Sequence, residues 1–288
     1  IFAFIQIIRM RNILIPTDFS ENSVNAIAFA LSFFESVPVN FYLLHVSLVE
    51  KNNDEEFFYR LSEQDLDQKK AYNPSEDLNA EIERIKELTR SKNHNFYGLH
   101  ESTQFIEAIR ASVIENEIDL IGMGTKGASN MSKTVLGSHT ADVITKVKCA
   151  VLVIPENAKY KKPKNIVFPT DFNILYKNKV METLLDVLKI KNTALSVLYI
   201  SKHVQDLSIL QKKNRSYLQD YLVDQPHNFY FVTNKNIENA IETFVDTTQV
   251  DMIAMIAKNL NFFQRILFKP TVEKISYQTN VPFLVLHE

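Results

Sequence analysis

The sequence predicts an α/β protein made of two tandem doubly wound domains, each with a five-stranded sheet flanked by helices. Three observations predict it. Arg11-Asn-Ile-Leu-Ile-Pro-Thr-Asp-Phe19 recurs as Lys164-Asn-Ile-Val-Phe-Pro-Thr-Asp-Phe172, identical at six of nine positions. Three later segments recur at one constant offset of 132: Glu107-Ala-Ile-Arg-Ala-Ser-Val-Ile with Asn239-Ala-Ile-Glu-Thr-Phe-Val-Asp, Ile118-Asp-Leu-Ile-Gly-Met with Val250-Asp-Met-Ile-Ala-Met, and Cys149-Ala-Val-Leu-Val-Ile with Val281-Pro-Phe-Leu-Val-Leu. Within each copy, short continuous apolar runs alternate with helical spacing, as in parallel strands covered on both faces.

The elements follow in order. Asn12–Pro16, Asn40–Val46, Phe96–Leu99, Leu120–Met123 and Ala150–Ile154 are expected strands. Ser23–Phe34, Leu78–Thr89, Phe105–Glu115 and Val135–Thr145 are expected helices, the first announced by Ser20 and Glu21. The second copy repeats the strands near Asn165–Pro169, Ala194–Ile200, Phe229–Val232, Asp251–Met255 and Phe283–Leu286. The polar stretch Glu50–Ser75 reads as an insertion or mobile segment of the first copy. The basic run 156–164, with Pro163, reads as a solvated linker between domains 10–156 and 163–288.

Composition narrows the function. A chain of 288 residues with 45% apolar and 23% charged residues carries enough material for a packed core. A net charge of -2 and a pI of about 6.4 imply no electrostatic pull toward nucleic acid or an anionic membrane. The apolar Ile1–Ile8 is too short to span a bilayer, and it lacks the basic flank and cleavage site of a signal peptide. Met10 is the expected natural start, with the first nine residues an upstream extension. Cys149 is the single cysteine, which excludes an internal disulfide and a cysteine-cluster zinc site. A cytoplasmic protein is the expectation.

Glycine is the informative residue. There are five, and four of them (Gly122, Gly124, Gly127 and Gly137) fall within sixteen residues. Gly122, Gly124 and Gly127 formally match G-x-G-x-x-G, but they follow the fourth strand of the unit rather than the first, so a dinucleotide fingerprint is rejected. No G-x-x-x-x-G-K-[ST] is present, so a P-loop is rejected too. The physical reading is a phosphate cradle. Gly124 and Gly127 let backbone N–H groups turn over a ligand, and Gly137 opens the approach to the next helix. Ser138 and Thr140 add hydroxyls, and the helix N-terminus adds partial positive charge. Lys126 and His139 could assist, or be ordinary surface residues.

These residues resemble those of the universal stress protein family. Ile13-Leu-Ile-Pro-Thr-Asp-Phe-Ser20 matches its opening strand, and Gly124-x2-Gly127-x9-Gly137-Ser138 fits its nucleotide motif G-x2-G-x9-G-[ST] without a gap. The resemblance covers about residues 10 to 288. It implies strand order 3-2-1-4-5 in each domain and ATP across the strand ends, with Mg allowed beside its phosphates. By the resemblance Asp18 contacts the adenosine, Pro16 and Thr17 line its pocket, Val46 meets the adenine and Met123 lies under the base or ribose. Gly127, Gly137, Ser138, His139 and Thr140 hold phosphates. It also implies an internal pseudo-dimer through the two fifth strands, with room for a further homodimer.

The second copy keeps Asp171 but departs from the motif: Ile256, Asn259, Lys269 and Pro270 stand where the first has Gly124, Gly127, Gly137 and Ser138. Pro270 removes a backbone donor. Asp171 in the same Thr-Asp-Phe context also leaves open that Asp18 serves the turn alone. The seven histidines show no metal spacing, and no Ser-His-acid arrangement can be named. The expectation is therefore an ATP-binding stress-response or signalling module loaded in the first domain only. The alternatives are a structural or interaction protein of the same fold that binds no nucleotide, or a weak ATPase with at most slow hydrolysis.

Overall fold

A computed structural model describes residues 11–47, 74–125, 137–203, 206–257 and 281–287. The first half runs β1 (Asn12–Pro16), α1 (Glu21–Phe33), β2 (Val39–Val46), α2 (Pro74–Leu88), β3 (His94–Glu101), α3 (Phe105–Glu115), β4 (Leu120–Gly124), α4 (Ser138–Lys146) and β5 (Ala150–Ile154). The second runs β6 (Asn165–Thr170), α5 (Asn178–Lys191), β7 (Ala194–Ser201), α6 (Ile209–Tyr221), β8 (His227–Thr233), α7 (Ile237–Thr248), β9 (Met252–Ile256) and β10 (Phe283–Leu286). The expected strands are all present. Pro74 and Ser75 open α2 rather than closing the expected insertion, and residues 50–73 of that segment lie outside the described residues.

One ten-stranded sheet has the order β3-β2-β1-β4-β5-β10-β9-β6-β7-β8. Read inward from either edge, each half has the doubly wound order 3-2-1-4-5. All neighbours are parallel except β5 and β10, which run antiparallel with Val153 opposite Phe283 and Val151 opposite Val285. This pairing covers an edge in each half that would otherwise be bare, apolar backbone.

The cores cross the same seam. On the face of α1, α2, α5 and α6, buried residues run from Ile13 and Phe41 through Leu152 and Leu284 to Phe168 and Leu184. On the opposite face they run from Leu14 and Met123 through Val151 and Val285 to Val167 and Ile253. The linker keeps Lys159, Lys161, Lys162 and Lys164 exposed, as expected of a solvated run, but other residues of it also pack on the domains. Ala158 is buried, and the Tyr160 ring stands edge-on to Phe29 at 5.4 Å. Lys161 pairs with Asp251 at 3.3 Å. Asn25 of α1 donates to the carbonyls of Pro155, Glu156 and Ala158. An apolar groove between α1 and α5 is better filled by Tyr160 than by water.

Two repeated residues have a local explanation. Asp119, before β4, accepts the N–H groups of Arg11 and Asn12 at 2.7 and 2.9 Å. Asp251 accepts those of Lys164 and Asn165 at 2.8 and 3.2 Å. Each carboxylate thus holds the entry to the central strand of its half. Cys149 is buried with its thiol against the Ile118 carbonyl, and burial pushes its pKa up to about 12, which leaves it unreactive.

Candidate functional site

In a doubly wound sheet the crevice opens at the carboxyl ends of the strands, where the crossovers diverge to opposite faces. In the first half that point lies between β1 and β4. They pair only at Ile13–Leu120 and Leu14–Ile121. Continuing that register sets Pro16 level with Met123 and Thr17 level with Gly124. On the other side Pro16 pairs with Leu44, which sets Val46 level with Asp18. The structure thus brings Pro16, Thr17, Asp18, Val46, Met123 and Gly124 to one end of the sheet. Val46 and Met123 belong to the α3–α4 side of it.

The turn after β1 follows from three side chains. Thr17 Oγ1 accepts the Phe19 N–H at 3.1 Å and donates to Ser23 Oγ at 3.1 Å. Phe19 is held at φ 60°, a conformation that a bulky side chain rarely takes. Asp18 is exposed, and its Oδ1 accepts from the Ser20 N–H at 3.1 Å and the Ser20 hydroxyl at 2.5 Å. Ser20, not Asp18, is the N-cap of α1, accepting from the Ser23 N–H. In the second half Thr170 likewise accepts from Phe172, which sits at φ 56°. The Thr-Asp-Phe turn is therefore a feature of the fold in both halves.

The far wall is the start of α4. Gly137 is its N-cap, at φ -65° and ψ 154°, and supplies no side-chain oxygen to the first-turn amides. Ser138 and His139 are exposed there, and the His139 ring lies 4.6 Å from that of Phe105, the first residue of α3. Two expectations change. The Gly137 N–H is bonded to the Thr125 carbonyl, and Thr140 is buried with its hydroxyl donating to the Gly124 carbonyl at 2.8 Å. Both tie the start of α4 to the end of β4. No described glycine has positive φ, so Gly124 and Gly137 are not there for backbone handedness. Gly127 and Lys126 lie outside the described residues, as do 135 and 136 of the expected helix and Asn259, Lys269 and Pro270 of the second half.

Ile256 is described. It pairs with Leu286 as Gly124 pairs with Ile154, and it is buried. An aliphatic side chain thus stands at the strand end that is bare in the first half. The second half also fills this end, on the same face as Ile256, with its own rings: Phe172 stacks on Tyr199 at 5.1 Å, and Phe231 lies tilted against Tyr199 at 5.6 Å. The first-half counterparts are Phe19, His45 and His100, with ring separations of 4.7 and 6.0 Å. Gln211 and Asn214 of α6 then donate to the Asp171 and Phe172 carbonyls. Sequence reasoning passed over Phe105, Thr125 and the His45–His100 pair. The in-register strand ends, Leu44-His45 beside Leu99-His100, were the one available signal for the last.

The crevice is of a kind that suits an anionic ligand with a sugar or base: uncapped helix amides on one side and a carboxylate turn on the other. Among the described residues no group of three or more His, Cys, Asp or Glu is placed to hold a metal ion, and no helix is long and apolar enough to cross a membrane.

Comparison with known proteins agrees with this fold. A universal stress protein from Archaeoglobus fulgidus superposes with a TM-score of 0.66 at 17% identity, over 97% of this chain and 99% of that one. A functionally unknown protein from Pseudomonas aeruginosa superposes with a TM-score of 0.57 at 12% identity, over 96% and 92%. A universal stress protein in complex with cAMP matches 50% of this chain and 96% of its own at 17% identity, with a TM-score of 0.36. No curated protein matches at a significant level. The sequence model of the universal stress protein family matches residues 10–155, about half of the chain. The chain belongs to the universal stress protein family.

Proposed function

We propose that the protein is an ATP-binding stress-response module in which residues 10–156 form the nucleotide domain and residues 163–288 form a second domain of the same fold without nucleotide. The observation that supports this reading most is the uncapped start of α4 at Gly137, set across the β1–β4 crevice from the Asp18 turn. Gly124 and the amides from Ser138 onward meet phosphates, with Gly127 completing the loop. Asp18, Pro16, Thr17, Val46 and Met123 take the nucleoside, and any Mg is carried by the phosphates. Binding rather than turnover is the role, in a cytoplasmic setting, with the halves as an internal pseudo-dimer.

One observation favours the runner-up, a protein of this fold that binds no nucleotide: the Thr-Asp-Phe turn forms in both halves and is explained without a ligand. Native mass spectrometry and calorimetry on the intact chain separate the two. One equivalent of adenine nucleotide supports the proposal, while none, or two, overturns it. The intact chain is the right material, because separating the halves would expose β5 and β10.

A further inference from the structure

The two halves make the same Thr-Asp-Phe turn, yet they hold its carboxylate differently. In the first half α1 begins at Glu21, directly after Ser20, and Ser20 gives both its N–H and its hydroxyl to Asp18 Oδ1. The same hydroxyl oxygen accepts the Ser23 N–H, while Ser23 in turn donates to the Ser20 carbonyl. Asp18 is thereby fixed beside the N-terminal end of a thirteen-residue helix. In the second half Asn173 stands in the place of Ser20, and Asp171 Oδ1 takes the Asn173 N–H at 2.9 Å. The helix starts only at Asn178, with an N-cap, Lys177, that makes no side-chain cap bond. The intervening residues carry Tyr176 inward, where its hydroxyl bonds Thr170 Oγ1 at 2.7 Å, in the place of the Thr17–Ser23 bond.

A carboxylate that recognises sugar hydroxyls must accept hydrogen bonds in a set direction. A neighbouring hydroxyl that occupies one of its oxygens removes the rotational freedom that binding would otherwise cost. We propose that Ser20 is a positioning residue that presets Asp18 as the acceptor for the ribose hydroxyls of a bound nucleotide, and that its replacement by Asn173, more than the loss of any acid, separates the competent turn from the structural one. This rests on the nucleotide reading of the first-half crevice. It accounts for Asp171 persisting in a half that has lost the glycines: the acid serves the turn in both halves, and Ser20 adds the recognition.

The test compares ATP with 2′-deoxy-ATP and 3′-deoxy-ATP by calorimetry on the full chain. Ser20→Ala removes the cap and the hydroxyl together. Ser20→Asp keeps a good cap but puts an acceptor where Asp18 needs a donor. The expected result is that wild type favours ATP over at least one deoxy analogue by about tenfold, the size of a hydrogen bond to a charged group. In Ser20→Asp that preference falls towards one, while the urea midpoint stays near that of wild type. A helix cap alone would shift the midpoint in Ser20→Ala and leave the preference intact in both variants; that result overturns the proposal while ATP binding stands. Wild type that binds no ATP overturns the site reading and this proposal with it.

Discussion

Thr140 donates its hydroxyl to the Gly124 carbonyl over 2.8 Å, tying the first turn of α4 to the last residue of β4. The Gly137 N–H makes a second tie, to the Thr125 carbonyl one residue further along. Residues 126–136, between these two ties, lie outside the described residues. The position of the helix start relative to the strand is held by these two bonds.

Thr140→Val keeps the shape of the side chain and removes the donor. With the Gly124 carbonyl left without it, stability should fall by about 1–2 kcal/mol. Urea denaturation measures the loss, and ATP affinity should weaken alongside it because the wall of the crevice is no longer held. An unchanged midpoint would show that the bond contributes nothing.

Gly137 is an N-cap in ordinary extended backbone, so a side chain there is conformationally tolerated. Gly137→Lys should therefore fold with a near-native melting temperature and still lose ATP, by occupying the approach to the α4 amides. Ser138→Ala should weaken ATP by about fivefold, near 1 kcal/mol. Calorimetry beside a melting curve checks both, and native affinity in a folded Gly137→Lys protein would place the phosphates elsewhere.

Asp119 and Asp251 do the same structural work in the two halves, each accepting two backbone N–H groups. Asp119→Ala and Asp251→Ala should each cost about 2–3 kcal/mol. Losses within about 1 kcal/mol of each other, measured by denaturation, are the expected outcome, since neither acid faces the crevice and the exposed Lys161 adds little to Asp251. A loss confined to one variant would mean that the halves anchor their central strands differently.

Lys191 gives a pH dependence with a defined sign. It is buried between the halves, its ammonium bonded to the Phe33 carbonyl and the Tyr160 hydroxyl and lying 4.3 Å from the Phe33 ring. Burial, reinforced by Lys162 and opposed by Glu35, lowers its pKa from 10.5 to about 8. The folded chain then binds fewer protons than the unfolded chain between about pH 8 and 10.5, so this residue makes stability rise with pH across that window and adds no slope below it. The span is at most about 3 kcal/mol. Lys191→Met should flatten this contribution in denaturation curves taken from pH 7 to 10.5, and a slope equal in both proteins would show that Lys191 does not titrate there.

The sequence by itself determined the number and type of strands, because continuous apolar runs at repeated spacing admit little besides covered parallel strands. It also singled out the end of β4, because glycines concentrated after one strand in a glycine-poor chain mark a single place: Gly124 ends β4 and Gly137 caps α4. Element ends were less legible. Gly137 closes as a cap rather than lying within a helix, and Pro74 opens one, since caps depend on which backbone groups meet in space. Only the tertiary structure decided which polar groups face the crevice and which tie α4 to β4, as with Thr140 and the Gly137 N–H. It alone showed that the basic linker packs Tyr160 against α1. It also separated Asp18 from Asp171, two acids with identical preceding residues, because the helix that follows starts four residues after Thr17 but eight after Thr170. That distance decides whether a helix end reaches the carboxylate, while the hydroxyl follows from Ser20 standing where the second half has Asn173.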